Sequence, residues 1–290
     1  MKLVINADDA GVDCSRNRGI FKAVDEGVVT STSVIVGQGG WEDLFKILAS
    51  KKRNVSLGLH LNLTAGKPLA KNCKSLVNSD ENFYNKFDLF KRSQDGLLNK
   101  KEVEVEFRAQ IKMFDRIGTP THIDGHNHIH LLPGAGEVLP KVFPKGTMIR
   151  LPIESPHLGV DPKEFEVMEI YNNVESLIAV TNFLCARAKE IWKDHFRYVD
   201  DFGGTRIADH PTLEAFQNAV NRLEGDICEL MCHPGDIPDE ASVRFSKFPQ
   251  RQEELRILTS LEFKEFLYQK NAGLHSYKSL AMDKKTYDPV

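Results

Sequence analysis

Histidine is concentrated in one short stretch of the chain. The segment Thr121–Leu131 reads T-H-I-D-G-H-N-H-I-H-L and contains four of the ten histidines of the protein. On an extended strand alternate side chains point to the same face, so this spacing predicts that five polar groups share one side. These groups are His122, Asp124, His126, His128 and His130. Imidazole and carboxylate hold zinc and other divalent cations in hydrolytic enzymes, although five ligands are too many for a single ion.

Asp8 and Asp9 form an adjacent carboxylate pair just after the apolar run Leu3–Ala7. Such a pair suits a division of labour in which one carboxylate binds a metal ion and the other takes a proton from a water molecule. The alternative is an Asp-rich turn that leads into Gly11. The position of the pair at the end of a predicted buried strand favours the functional interpretation.

His60 lies in the apolar sequence Leu57–Thr64, where a histidine is more often a hydrogen-bonded core residue than a ligand. Because it falls at the end of a predicted strand, as the other polar groups do, we interpret it as a ligand. Asn62 and Thr64 follow it and are candidates to bind polar groups of a substrate.

Arg150 and His233 each follow apolar residues. A buried arginine needs an anionic partner, which is either Asp8, kept ionised as a base, or a carboxylate elsewhere in a structural salt bridge. His233 precedes Pro-Gly, and an imidazole there could protonate a leaving group because its ordinary pKa is near the working pH. Glu229 is a candidate to orient it.

Strand-like and helix-like segments alternate along the chain. Apolar strand candidates lie at Leu3–Ala7, Thr30–Val36, Val55–Leu61, Thr121–Asp124, Met148–Leu151, Arg197–Val199, Ile227–Met231 and Leu274–Tyr277. Helix candidates lie at Ser15–Glu26, Trp41–Ser50, Glu102–Ile117, Val174–Lys193, Thr212–Leu223 and Gln252–Gln269. Repetition of strand then helix, with continuously apolar strands, indicates a parallel sheet covered by helices.

Seven or eight such units in 290 residues predict a single α/β domain over residues 1–290, a TIM-like (β/α) barrel rather than a two-domain Rossmann arrangement. Residues 64–99, rich in Lys, Asn and Asp, are predicted to form a long loop or short helices over one barrel end. Active sites of such barrels lie at the C-terminal ends of the strands. The polar groups described above follow strand candidates, so we expect them to meet at one rim.

The composition limits the class of protein. A net charge of −3 without a long Lys/Arg run argues against nucleic acid as the main partner. The N-terminal residues reach Asp8 and Asp9 too soon for a signal peptide, and no stretch approaches the length of a membrane span. Five scattered cysteines without a CxxC pair indicate reduced thiols and a cytoplasmic location. The sequence leaves the oligomeric state open, with a homodimer as one option.

Four sequence blocks together resemble the YdjC-like carbohydrate deacetylases, a family that includes the chitooligosaccharide deacetylases. The blocks are Val4–Gly11 with Val29–Ser33, Gly58–Leu69, Pro120–His130, and Glu229–Gly235. In combination their order and spacing are specific to that family. The chain departs from the family pattern at Ala10, where many relatives have Phe, and at Asn127, where a His is common. Neither position is an assigned ligand, but Ala10 leaves the sugar specificity open.

The resemblance implies a distorted TIM-like barrel, similar to that of polysaccharide deacetylases, which removes the N-acetyl group from an amino sugar or a short chitin-type oligosaccharide. It implies one divalent metal ion on Asp9, His60 and His126, with magnesium expected from the family and zinc, manganese or cobalt also compatible. By the same resemblance Asp8 is the general base and His233 is the acid. Arg150–Pro152 resembles the Arg-x-Pro element of the wider polysaccharide deacetylases, which implies that Arg150 orients the base. The groups left for substrate contacts or for support of the ligands are Asn62, Thr64, Asp124, His128 and His130.

Two other functions remain open. One is a metal-dependent phosphoesterase or amidohydrolase, whose sites often take a H-x-H pair from the first strand and tend to bind more than one metal. Here the first strand candidate carries Asp8 and Asp9 instead. The other is a sugar-binding or scaffold protein without turnover, which the complete set of assigned groups disfavours.

Overall fold

A computed structural model describes residues 1–50 and 53–282 of the chain. Its strands are β1 (Lys2–Ala10), β2 (Ser31–Val34), β3 (Ser56–Leu61), β4 (Ile123–Gly125), β5 (Asp201–Gly203), β6 (Ile227–Cys232) and β7 (Gly273–His275). Its α-helices are α1 (Cys14–Asp25), α2 (Trp41–Ser50), α3 (Lys86–Gln94), α4 (Lys100–Phe114), α5 (Leu139–Val142), α6 (Val167–Asn172), α7 (Val174–Trp192), α8 (Leu213–Arg222), α9 (Gln250–Thr259), α10 (Leu261–Gln269) and α11 (Tyr277–Met282). Short 3₁₀ helices lie at Lys74–Leu76, His126–Leu131, Pro162–Glu164 and Arg244–Lys247.

The strands pair in parallel and form one seven-stranded sheet in the order β4-β3-β2-β1-β6-β5, with β7 paired to β1. β1 is central: β6 pairs along Lys2–Ala7, β7 along Lys2–Val4, and β2 from Asn6 onward. All residues of β1 after the first are buried, as expected of a parallel strand covered on both faces. The predicted α/β class with a parallel sheet of seven or eight strands is confirmed.

The chain divides into two compact units, and the division falls inside β3. The first unit comprises Met1–Gly58, Pro120–His122 and the described part of Val199–Val290. It contains β1, β2, β5, β6 and β7 with their helices. The second comprises Leu59–Thr119 and Ile123–Tyr198, in which the end of β3 pairs with β4.

Two strand candidates of the second unit are reduced to isolated bridges. Ile149 bridges to Ile123, and Met148 bridges to Arg197, both in parallel. The chain at 148–151 leaves the ladder directly after Arg150, whose N–H donates to Ile123 O at 2.9 Å, since the following Pro152 has no N–H to continue it. β5 begins at Asp201, so the expectation of a strand at Arg197–Val199 was wrong beyond its single bridge.

Helix positions agree with the sequence patterns except at one break. α2 has the predicted bounds, and Asn99 and Asn173 cap the first turns of α4 and α7 by accepting hydrogen bonds from backbone N–H groups. The single helix expected at Gln252–Gln269 is instead α9 and α10, because Ser260 is extended (φ −70°, ψ 151°) and caps α10 through Phe263 N. None of the helices in the described ranges has the length and apolar character needed to cross a bilayer.

Residues 64–99 contain the 3₁₀ helix Lys74–Leu76 and helix α3. Carboxylates of α4 hold the backbone of this segment. Glu106 accepts from Leu69 N and Ala70 N, and Glu102 accepts from Ser75 N at 2.7 Å. The irregular segment is therefore fixed by side chains of the helix that follows it.

The histidine-rich segment is not one extended strand, so the expectation that five alternate side chains share a face was wrong. Only Ile123–Gly125 is extended; His126–Leu131 winds into a 3₁₀ helix in which Asn127 and His128 have φ values of 53° and 55°. Asn is among the residues that tolerate this left-handed region best. Strand alternation therefore ends at Asp124, and His126 begins a turn.

Gly58 is required by the packing of His122. A Cβ at Gly58 would lie 2.3 Å from the imidazole of His122, so we expect Gly58→Ala to lower the free energy of unfolding by roughly 1–3 kcal/mol through overpacking. Urea denaturation checks this. Gly39→Ala is the control, because the nearest atom to its added Cβ is 3.5 Å away. Equal small effects of the two changes would contradict the expectation.

Candidate active site

Asp8 and Asp9 lie at an irregularity in β1. The register against β2 shifts between Ala7 and Ala10, and Asp9 has a φ of 74°. In a regular strand neighbouring side chains point to opposite faces; an inserted residue of this kind changes that direction locally. Each carboxylate residue is only 2% exposed. The strand thus places two adjacent acidic side chains in the interior at its C-terminal end.

Asp8 is held between an amide and an imidazole of the first unit. Its Oδ1 accepts a hydrogen bond from Asn6 Nδ2 at 2.8 Å, and its Oδ2 lies 4.0 Å from His233 Nε2. The structure therefore places the predicted base next to the predicted acid. The separation of 4.0 Å is longer than a hydrogen bond.

The backbone of His233 is fixed by buried charged residues. Its N–H donates to the carboxylate of Glu254, and its carbonyl accepts from Arg16 Nη1. Glu254 also pairs with Arg251, at 3.1 Å. Glu229, the predicted orienting residue, instead accepts from Tyr277 Oη. Glu254 and Arg16 therefore fix the backbone of His233, and a role of Glu229 in orienting its ring stays a prediction.

Sequence reasoning missed Arg16, Arg251 and Glu254. Arg16 and Glu254 are fully buried, and Arg16 shares helix α1 with buried apolar residues such as Ile20. An arginine or glutamate at a helix position whose spacing places it in the core is the signal that could have found them.

Burial lowers the pKa of His233 to about 3, against an opposing contribution from Asp8 and with a further lowering by Arg251. The imidazole is therefore neutral near pH 7. The expectation that His233 titrates near the working pH was wrong, because its surroundings disfavour the charged form.

In the second unit, Asp124 joins His60 to Arg150. Asp124 Oδ1 lies 2.7 Å from His60 Nδ1, and Asp124 Oδ2 lies 3.1 Å from Arg150 Nη2. All three side chains are buried. If His60 donates from Nδ1 to the carboxylate, its Nε2 presents a lone pair to a cation. Arg150 forms a salt bridge with Asp124, and its role toward Asp8 stays a prediction.

The remaining histidines of the block differ in exposure. His126 is half-buried, with its ring centroid 5.6 Å from that of His60. His130 is fully buried, binds Arg150 O through Nε2 at 3.0 Å and stacks on Trp192. It therefore supports the backbone of Arg150. His128 is half-buried and lies edge-on to His130.

Asn62 and Thr64 shape the loop after β3. The side-chain oxygen of Asn62 accepts from Thr64 N and Ala65 N, and its amide nitrogen donates to Ala65 O. Thr64 Oγ1 accepts from Asn127 Nδ2 at 3.0 Å. Substrate contacts by Asn62 and Thr64 stay a prediction, and Asn62 has a structural role beside it.

Of the residues predicted to bind a metal ion, Asp9 lies near the end of β1 in the first unit, and His60 and His126 lie in the second unit with their ring centroids 5.6 Å apart. One carboxylate and two imidazoles are a donor set that fits a divalent transition metal or zinc. Asp124, which lies beside His60, is bound to Arg150. Asp9, His60 and His126 therefore stay the predicted metal ligands.

Three histidines whose pKa values are lowered are expected to make stability depend on pH. Burial lowers the pKa of His130 from 6.5 to about 4, that of His233 to about 3, and that of His128 well below its usual value. Below pH 6.5 the unfolded chain binds protons that the folded chain does not. We therefore expect the free energy of unfolding of the metal-free protein to fall between pH 6.5 and 4, by up to about 1.4 kcal/mol per pH unit for each histidine.

Urea denaturation at pH 7 and pH 5 measures this loss. His130→Phe keeps a buried ring and removes one of the titrating groups, so its stability should fall less over the same interval. An identical pH dependence in the variant and the parent would contradict the assignment of His130 as a buried neutral group.

The chain is similar to known proteins over nearly all of its length. A model of the YdjC-like protein family matches residues 2–269. A carbohydrate deacetylase of Brevibacillus brevis is 30% identical over 97% of this chain and 100% of its own length. A carbohydrate deacetylase of Xenopus laevis is 28% identical over 97% of this chain and 98% of its own length.

A solved structure supports the fold. A protein of Enterococcus faecalis, described as a cellobiose-phosphate cleavage protein, superimposes with a TM-score of 0.75 at 25% identity. The match covers 96% of this chain and 98% of that chain. It includes both compact units.

Proposed function

This chain belongs to the YdjC-like protein family, and on that premise we propose that it is a metal-dependent carbohydrate deacetylase. Its reaction would be hydrolysis of the N-acetyl group of an amino sugar or a short chitin-type oligosaccharide, with release of acetate. The relatives named carbohydrate deacetylase match 97% of the chain, which supports this activity over the alternatives.

The single observation that carries the proposal is that His60, held by Asp124 at 2.7 Å, lies with its ring centroid 5.6 Å from that of His126. With Asp9, these are the residues that the family resemblance assigns to the metal. A divalent ion bound there would acidify a water molecule and polarise the acetamide carbonyl. His60 fits this role because Asp124 takes its Nδ1 and leaves Nε2 for the ion. Magnesium follows from the family, whereas the two nitrogen ligands favour a transition metal.

Asp8 would take the proton of the attacking water. Asn6 holds its Oδ1, so Oδ2, the oxygen on the side of His233, is the better placed to receive the proton. A carboxylate in this position acts as a general base and contributes roughly 10²–10⁴-fold to the rate.

His233 would deliver the proton to the leaving amine. It is neutral in the resting protein, since its pKa is lowered to about 3. It must therefore gain its proton during turnover, and Asp8 is the neighbouring source. The proton taken from water thus returns on the amine, and the reaction yields acetate and the free amino sugar.

Acetate release tests the function. The protein is incubated with acetylated mono- and oligosaccharides, diacetylchitobiose among them, with each of Mg²⁺, Mn²⁺, Co²⁺ and Zn²⁺ in turn, and acetate is measured. Acetate from at least one sugar, abolished by a chelator and restored by one ion per chain, supports the proposal. Sugar binding without acetate, or hydrolysis of phosphate esters instead, contradicts it.

His126 and His128 are matched probes of the ligand assignment. We expect His126→Ala to abolish metal binding and acetate release, whereas His128→Ala should retain the metal with a smaller loss of activity. Metal content and acetate release of the purified variants are the measurements. Equal losses in the two variants would mean that His126 is the wrong ligand.

A further inference from the structure

We infer that Asn6 is a positioning residue for Asp8, and that a series of hydrogen bonds through buried Ser33, buried His122 and half-buried Thr121 fixes the direction of its amide. The inference rests on the proposed role of Asp8 as the base. All of these residues belong to the first unit. Asn6, Ser33 and His122 are fully buried, so the arrangement is internal to the fold.

The hydrogen bonds run without a break from Asp8 into the core. Asn6 Nδ2 lies 2.8 Å from Asp8 Oδ1 and 2.8 Å from Ser33 Oγ. Ser33 Oγ lies 3.2 Å from His122 Nε2. Thr121 Oγ1 lies 3.0 Å from His122 Nδ1 and donates to Leu57 O at 3.1 Å.

The Thr121 end of this series of hydrogen bonds sets the direction of the other bonds. The Thr121 hydroxyl uses its proton in the hydrogen bond to Leu57 O, which also accepts from Thr121 N, so Thr121 Oγ1 accepts from His122 Nδ1–H. Neutral His122 then presents the lone pair of Nε2, to which the Ser33 hydroxyl donates. Ser33 Oγ in turn accepts from Asn6. The chain therefore requires Asn6 to present its NH₂ group to Ser33.

The contact with Asp8 requires the same orientation of the Asn6 amide. An ionised Asp8 carboxylate has acceptors only, so the Asn6 amide must again present NH₂. The flipped amide would place its oxygen 2.8 Å from both Asp8 Oδ1 and Ser33 Oγ, which is repulsive at the carboxylate. Two independent requirements thus select one orientation of Asn6.

The packing around His122 makes this support rigid. Its ring stacks on Tyr277 with centroids 3.9 Å apart and planes at 18°, and Gly58 leaves room for its other side. Tyr277 is itself held by its hydroxyl on Glu229. A fixed donor on Oδ1 restricts rotation of the Asp8 carboxylate, and small misplacements of a reacting group cost up to about 10²-fold in rate.

The test compares variants by steady-state kinetics with metal content. We expect Asn6→Ala to lower kcat by about 10- to 100-fold with KM and metal affinity retained. Ser33→Ala should lower kcat by less, because it removes only one of the two requirements on the Asn6 amide and Asp8 still selects its NH₂ group. Thr32→Val is the matched control. It removes another buried hydroxyl of β2, which donates to the β1 carbonyl of Ala7 at 2.7 Å, and should leave kcat unchanged.

A second measurement does not depend on activity. ¹⁵N shifts of the His122 imidazole in the wild-type protein should show a protonated Nδ1 and an unprotonated Nε2. The opposite tautomer would overturn the inference even if acetate is released. The tautomer of His122 can be measured in the wild-type protein even if Asn6→Ala does not fold or the proposed function fails. Unchanged kcat in Asn6→Ala, or an equal loss in Thr32→Val, would also overturn it.

Discussion

Replacing Asp8 with asparagine should lower acetate release by about 10²–10⁴-fold and leave metal binding intact. The amide keeps the size of the side chain but removes the group that accepts the proton of water. Steady-state kinetics and metal content of the purified variant are the measurements. This result would separate the two acidic residues of the irregular end of β1 by role.

Asp9→Asn is the matched comparison. Asn tolerates a φ of 74°, so the backbone should persist while a charged ligand is lost. We expect this variant to lose metal affinity first and activity as a consequence, with partial recovery at high metal concentration. Loss of metal in Asp8→Asn, or retained metal affinity in Asp9→Asn, would contradict the proposed division of roles between Asp8 and Asp9.

Asp124→Asn should have the largest effect on stability, because it deprives the fully buried Arg150 of a charged partner. Breaking a buried ion pair costs roughly 3–5 kcal/mol. The same change weakens the support of His60, so metal affinity should fall by about 10- to 100-fold. Thermal or urea unfolding of the metal-free protein and metal titration measure the two effects separately.

Arg150→Met gives the control for this pair. It removes the buried charge but keeps the carboxylate on His60, so metal affinity should fall less than in Asp124→Asn. In the double variant the two losses of stability should be less than additive, since each single change already breaks the pair. Fully additive losses would mean that the salt bridge does not couple the two residues.

The positions of the candidate ligands could be predicted because polar residues that end apolar strands are conspicuous in a sequence. Asp9, His60 and His126 were singled out in this way before the family resemblance assigned them as ligands, and each lies at or just after the end of a strand. Asp124 was predicted to contact substrate or to support a ligand; it lies 2.7 Å from His60 Nδ1, and its salt bridge with Arg150 was not predicted. Parallel strands bring their C-terminal ends to the same edge, so the reasoning required little knowledge of the loops.

The rest depended on backbone conformations and long-range contacts that the sequence does not reveal. Alternating polar residues at 122–130 matched a strand, but the left-handed backbone at Asn127 and His128 ends it. Arg16 and Glu254 hold the backbone of His233, and they come from helices that are distant from it in the sequence. Their burial, and hence the lowered pKa of His233, follows from tertiary packing alone.

The left-handed backbone at Asp9 places stability and the proposed metal site in conflict. A residue other than glycine in that region is strained, typically by about 1–3 kcal/mol at functional sites. Glycine at position 9 would relieve this strain, yet it would delete a proposed metal ligand. Selection for thermal stability alone would therefore favour loss of this ligand. A screen for more stable variants of this protein has to measure acetate release as well.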